Sequence, residues 1–176
     1  MKNIRFDQVI AMLPVYHDNL FNSTQVIFNN QETRVYPNPI KGVKDKYCQF
    51  YAIDQKAIKH QLYQLLHQKN NLPLVCPYKS VFATFKVRQP LMPYDAAYGY
   101  FNVDYIQHLD LDKVKHPYPT LTLSTHHTIH ILNTEDNASA HFKNAMAAHD
   151  YYVARHLFSK LQDMIQEPLP PPYPDL

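Results

Sequence analysis

The chain has 176 residues and a mass of 20.7 kDa, 45% of its residues are hydrophobic and 13% aromatic, so it can bury a core and fold as one ordinary domain. Two glycines, Gly42 and Gly99, stand far apart among fourteen prolines. That excludes the glycine-rich loops of Walker-type nucleotide hydrolysis and of Rossmann cofactor binding, which need several backbone positions without Cβ. The formal net charge of +2 is unevenly spread: residues 1–100 hold twelve Lys/Arg against six Asp/Glu, whereas residues 101–176 hold five against nine. A basic front half and an acidic back half fit a protein with an anionic partner on one surface, or a solvated surface with chance asymmetry.

Val9–Leu13 is a short apolar run that follows Asp7 and stops at Pro14, which reads as neither targeting segment nor membrane span. Cys48 and Cys76 lie far apart and outside any CxxC pattern, which favours a reduced, cytoplasmic setting and leaves a single disulfide open. Residues 8–13 and 25–28 read as strands. Asn29-Asn30 ahead of Thr33–Tyr36 predicts a hairpin, because Asn tolerates the positive φ of a tight turn. PNPIKGVKDK (37–46) reads as a loop.

Asp54 is the expected cap of a helix over 55–69, with Ile58, Leu62, Leu65 and Leu66 at helical spacing and Asn70-Asn71 and Pro73 as its stop. Strands are expected at 72–76, at 80–87 and from 99 or 100 to 106. The segment 120–132 alternates as a hairpin turning near Thr125–His127, with Leu121, Leu123, Ile129 and Ile131 as its apolar face. A long helix over 138–166, capped by Asp136 or Asn137, carries Phe142, Met146, Val153, Leu157, Leu161 and Met164 as a stripe. Pro168 forbids its continuation, so residues 168–176 read as an extended polyproline tail. The expected fold is α+β: a single domain over 1–167, mainly antiparallel sheet, with a short central helix and a long C-terminal helix.

Four groups of residues carry possible chemistry. His126, His127 and His130 place three imidazoles in five residues, a pattern for a metal-dependent enzyme, with His108 and His116 upstream. Against it, the expected turn sets His126 and His127 at a hairpin tip, and no Cys or carboxylate stands at ligand spacing inside the segment. Asp110 and Asp112 are paired carboxylates beside Lys113 and Lys115, which suits a solvated loop better than acid–base work. Serines and cysteines have no activating context. The PPPY of the tail can dock into an aromatic groove or stay a flexible end.

The fourth group is KSVFATFKVRQPLMPYDAAYGYFN (79–102). It mixes Lys79, Lys86 and Arg88 with Ser80, Thr84, Gln89 and Asn102 among Phe82, Tyr94, Tyr98 and Tyr100. Cations of this kind neutralise phosphates, and arginine enters narrow minor grooves. Amides read base edges, and apolar wedges open base steps. The plain alternative is an ordinary edge strand and loop.

Here the sequence resembles the competence transcription factor (ComK) family of Gram-positive bacteria. Phe82-Ala83-Thr84 matches the family's Phe-Pro-Thr strand with Ala for Pro, and Arg88 stands near its expected arginine. Tyr98-Gly99-Tyr100-Phe101-Asn102, continuing to Ile106, matches its Cys-x-Trp-Ile/Val-Asn/Ser strand, with Tyr98 for Cys and Tyr100 for Trp. Val9–Pro14 is similar to its N-terminal Ile-x-x-Leu-Pro strand, Cys48–Tyr51 to its Cys-x-Phe-Phe/Tyr segment, and 120–132 to its late hairpin before a helix. The likeness runs over residues 8–160 in the same order.

The resemblance implies a cytoplasmic, nucleoid-associated activator of DNA-uptake genes, without catalytic residues, metal or cofactor. It would recognise AT-rich double-stranded DNA through the minor groove as a homodimer or tetramer, bend that DNA, and be recruited by an adaptor to an ATP-dependent protease. On that scheme Arg88 is the groove-inserted cation, Lys79 and Lys86 contact phosphates, and Thr84, Gln89 and Asn102 are polar contacts. Arg34, Lys41, Lys44 and Lys46 form a second basic patch. The whole regulator assignment hangs on a cationic ridge around Arg88: an Arg88 enclosed in the interior, or a protein that ignores AT-rich tracts in dilute buffer, would collapse it. The alternatives are a non-DNA-binding interaction module or decayed regulator, and the His126–His130 metal enzyme.

Overall fold

One strand of a six-stranded sheet is buried almost from end to end. In Ser80–Lys86 (β5) the alternating side chains serve two packed layers: Val81, Ala83 and Phe85 face one hydrophobic cluster and Phe82 the other. The computed structural model describes residues 4–17, 21–77, 79–112 and 118–166, so the proline tail 168–176, His116, Lys113 and Lys115 lie outside the described residues. The strands are Val9–His17 (β1), Phe21–Phe28 (β2), Thr33–Tyr36 (β3), Leu74–Cys76 (β4), β5 and Tyr98–Asn102 (β6). They lie in the order β3-β2-β1-β6-β5-β4, and every pairing is antiparallel. A second sheet joins Ile106–Asp110 (β7), Thr120–Leu123 (β8) and Thr128–His130 (β9). The mixed helix and strand content, the large antiparallel sheet and the long C-terminal helix make this an α+β domain.

The β2–β3 hairpin forms where expected, but the positive φ falls on Gln31 (69°) and not on an asparagine. β1 runs on through Pro14, which pairs with Thr24 on one side and lies beyond the two residues, Ala11 and Met12, that pair with β6 on the other. The expected strand from 99 to 106 is cut in two. The Asn102 side chain accepts from the Asp104 amide (3.1 Å), and the single 3-10 turn Val103–Tyr105 hands the chain to the second sheet.

Residues 37–39 are irregular as expected, but 40–46 are not a loop. Ile40–Phe50 is a helix (α1) that follows Pro39 directly, and its stripe of Ile40, Val43, Tyr47 and Cys48 covers one face of the large sheet against Met12, Val26, Phe28 and Phe82. Burial of that stripe outweighs the cost of about 1 kcal/mol for a glycine within a helix. The buried Tyr47 hydroxyl meets Ser80 Oγ at 2.8 Å. Cys48 and Cys76 are both free and buried in this layer.

Gln55–Leu66 (α2) is capped as expected: Asp54 Oδ1 accepts from the amides of Lys56 and Ala57, and His67 closes the helix in the left-handed region. The last helix, Glu135–Gln166 (α3), starts earlier than expected and its cap is Thr134, whose Oγ1 accepts from Asn137 N and whose carbonyl accepts from Ala138 N. Its buried face is Ala138, His141, Ala145, Ala148 and Tyr152, with Phe142 and Met146 half-buried. Alanines let the helix lie close on β5. Val153, Leu157 and Leu161 are exposed, and Met164 lies beyond the described side chains. The reason is length: 32 residues make a helix of about 48 Å, roughly twice the span of a seven-residue strand.

Candidate nucleic-acid interface

The six residues expected to form one DNA-contacting surface are dispersed by the burial of β5. Thr84 and Asn102 are buried, Thr84 Oγ1 donating to the Asn71 carbonyl (3.0 Å) and Asn102 serving the turn after β6. Lys86 is half-buried, and its backbone is held by the segment before α3, with Asn133 Oδ1 accepting its amide and the Leu132 amide donating to its carbonyl. Lys79 and Gln89 are exposed. Lys79 borders a groove of about 190 Å³ in which Asp104 pairs with His149 (3.1 Å), a poorer place for an anion than an acid-free wall.

Arg88 is enclosed, with only 8% of its surface exposed. Its guanidinium lies 4.0 Å from the Tyr16 ring centre, Nε donates to the Ala96 carbonyl and Nη2 to Asn22 Oδ1, both at 2.9 Å. Every one of these partners belongs to the protein. The assignment of Arg88 as a groove-inserted cation is therefore overturned, and with it the regulator reading in the form that hung on that side chain: Arg88 fastens the segment after β5 to β1 and β2.

The second basic patch is divided as well. Arg34 lies on the edge strand β3 and pairs with Glu32, which also holds Arg5. Arg34 holds the Glu32 carboxyl below its ordinary range. Lys46 is exposed but lines no part of the concavity described next.

Lys41 and Lys44 of α1, however, face Lys59 of α2 and Lys69 of the segment after it across an open cleft of about 410 Å³. The floor is the sheet face at Thr84, Tyr98 and Tyr100, and Asn70 and Asn71 supply amides at the rim. No acidic residue is among its described walls. Lys44 Nζ sits 5.9 Å from the Tyr100 ring centre and Lys69 Nζ 5.7 Å from that of Tyr63, so both ammonium groups rest against aromatic faces. Burial raises the Tyr100 phenol, which therefore stays a neutral hydroxyl. Four cations line one concavity whose described walls hold no acidic residue, so their potentials add there and attract an extended anion, although Asp45 beside Lys44 is close enough to act on Tyr100 and offsets part of that field. Lys59 and Lys69 were missed as site residues. They carry no local signal, since only the tertiary fold brings them to the cleft that Lys41 and Lys44 line.

The histidines do not converge. His126 is exposed at the hairpin tip with φ 64°, and His130 is exposed on β9. His127 reaches Thr33 Oγ1 (3.1 Å) and Thr125 Oγ1 (3.0 Å), tying the tip to β3. Among the described residues no group of three His, Cys, Asp or Glu is arranged to hold a metal ion, so the His126–His130 enzyme reading has no geometry behind it. Asp110 Oδ1 accepts from the Asp112 amide in a local turn. Among the described residues, no helix is long and apolar enough to cross a membrane. Compared with protein-family models, curated proteins and solved structures, the chain matches none.

Proposed function

We propose that this chain is a DNA-binding regulator of DNA-uptake genes that holds the phosphate backbone of AT-rich duplexes in the cleft of Lys41, Lys44, Lys59 and Lys69. The observation that carries the reading is that four-lysine, acid-free cleft with its tyrosine floor. Lysine neutralises phosphates as a hydrated point charge, and tyrosine tolerates the apolar edges of sugars and bases. Two further facts support it. The excess of cations lies in residues 1–100, which contribute every lysine of the cleft. The segments that resemble the competence regulators, Val9–Pro14, Phe82–Thr84 and Tyr98–Asn102, fall on the adjacent central strands β1, β5 and β6. Assembly into dimers or tetramers and recruitment by a protease adaptor belong to the same proposal.

The test is electrophoretic retardation of AT-rich and GC-rich duplexes, repeated over a salt series with a variant carrying Lys→Gln at 41, 44, 59 and 69. Each phosphate contact contributes about 0.9 to the salt slope, so four contacts make the wild type lose roughly 150-fold more affinity than the variant between about 50 and 200 mM salt. No retardation at low salt favours an interaction module without DNA binding. An unchanged slope in the variant removes the cleft from the interface.

A further inference from the structure

The loop over residues 90–94 turns the usual arrangement of polar and apolar groups inside out. Its tip exposes Leu91 (59%), Met92 (64%) and Tyr94 (99%), while its polar anchors point inward. The tip is also not slack. Tyr16 Oη accepts from the Leu91 amide (2.8 Å) and donates to Asp95. Asp95 accepts in turn from the Met92 amide (3.2 Å) and from Asn22 Nδ2 (3.0 Å), and its own amide donates to the Met92 carbonyl (3.1 Å). Beneath these, Arg88 stacks on Tyr16 and holds Asn22 and the Ala96 carbonyl. Pro90 and Pro93 fix two further φ angles in the same five residues. A buried cation, a carboxylate, a phenol and an amide are thus committed to holding a greasy tip out in solvent.

We propose that this tip is a wedge that inserts Leu91 and Met92 between stacked base pairs of the duplex held in the lysine cleft, and so unstacks one base step. The inference rests on the DNA-binding reading above. Two general considerations and one observation favour a base step as the occupant. Leu, Met and Pro are the side-chain types that enter opened base steps. A tip already locked in place loses little conformational entropy on insertion. The loop also returns through Ala96 and Ala97, which form part of the cleft wall, and Tyr94 is two residues from Ala96, so its Cα lies within about 7 Å of that wall. A duplex is extended, so one held in the concavity would run on past the loop that carries the apolar tip.

The experiment uses an AT-rich duplex in which 2-aminopurine replaces adenines in turn, its fluorescence read on titration with wild type and with Leu91→Ala/Met92→Ala. Wild type is expected to raise the signal several-fold at one step, because the analogue brightens when unstacked. The double variant is expected to bind with the same salt slope and to leave the signal flat. Both side chains face solvent, so its melting temperature stays at the wild-type value. Wild type that binds with a lysine-dependent slope yet brightens no position overturns the wedge alone, and equal brightening by the variant does the same. Wild type that fails to retard the duplex at low salt overturns the DNA-binding reading and the wedge with it. A variant that loses all binding while wild type brightens no step marks the tip as an ordinary contact surface, which also overturns the wedge.

Discussion

Arg88→Ala separates a cation that meets a ligand from one that holds the protein together. The substitution leaves the Ala96 carbonyl and Asn22 Oδ1 without their donors and removes the stacking on Tyr16. An abandoned acceptor in a largely buried site costs about 1–3 kcal/mol, and a desolvated cation–π contact adds up to about 2 kcal/mol. One term opposes these: Arg88 Nη1 is buried without a hydrogen-bond partner among the described residues, so its removal returns about 1 kcal/mol. The net expectation is a loss of about 3–4 kcal/mol, or roughly 10 °C in melting temperature for a domain of this size. Thermal and urea melts measure it, and a salt titration with duplex DNA well below the variant's midpoint reads the interface separately. The slope should stay at the wild-type value. A variant that melts like wild type but loses about one unit of salt slope refutes the structural role and returns Arg88 to the DNA surface.

Gly99→Ala should destabilise by about 1–3 kcal/mol in urea, because a Cβ there would stand 3.0 Å from Phe101 Cε2 and 3.1 Å from the Met12 carbonyl oxygen, and neither the fully buried ring nor the backbone has room to yield. Asp54→Ala should cost about 1 kcal/mol by freeing two amides of the first turn of α2, and Asp54→Asn should recover most of it. Burial pushes the Cys76 thiol up from its ordinary 9.0 to about 11 and raises Tyr47, Tyr51 and Tyr100 in the same direction. The folded form then keeps protons that the unfolded chain has released above pH 9, so stability is full below that pH and falls as pH rises through 11, by about 3 kcal/mol for Cys76 alone. Urea midpoints across that range check the sign, and a thiol reagent at pH 8 should label Cys76 only after unfolding.

The elements legible in the sequence are those whose instructions are local. Asp54 with its two amides, the alternation of 120–132 with a turn at His126, and the break before Thr33 each need only neighbouring residues. α1 was misread because its stripe runs past the edge of the apparent loop. Ile40 and Val43 lie inside 37–46, Tyr47 and Cys48 beyond it, and Pro39, Gly42 and three lysines make the first half look irregular. Arg88 was misread because a cation in sequence carries no sign of which way it points. Its fate is set by Tyr16 and Asn22, more than sixty residues earlier, and by the closure of the sheet around β5. The cleft was half legible: Lys41 and Lys44 stood out as a patch, whereas Lys59 and Lys69 are single lysines within the span expected as one helix, 55–69, with nothing beside them in sequence to set them apart.

Replacing one inserted arginine by a cleft of lysines changes what each part of the surface is able to discriminate. An ammonium group against a phosphate contributes affinity and salt dependence but no sequence information, since every nucleotide offers the same phosphate. If the proposed regulator prefers AT-rich duplexes, that preference would then have to come from how readily the DNA deforms, and the steps that unstack most cheaply include TA. On the proposed reading, Leu91 and Met92 at the anchored loop tip are the side chains that would sense that cost. The two sets of variants are thus expected to fail differently. Lysine substitutions should weaken AT-rich and GC-rich duplexes by the same factor, and the Leu91→Ala/Met92→Ala protein should keep most of its affinity while the ratio between the two duplexes shrinks toward one. Parallel titrations at a single salt concentration decide it: a lysine variant that changes the ratio would mean that the cleft itself reads the bases, and the division of labour between cation and wedge would be wrong.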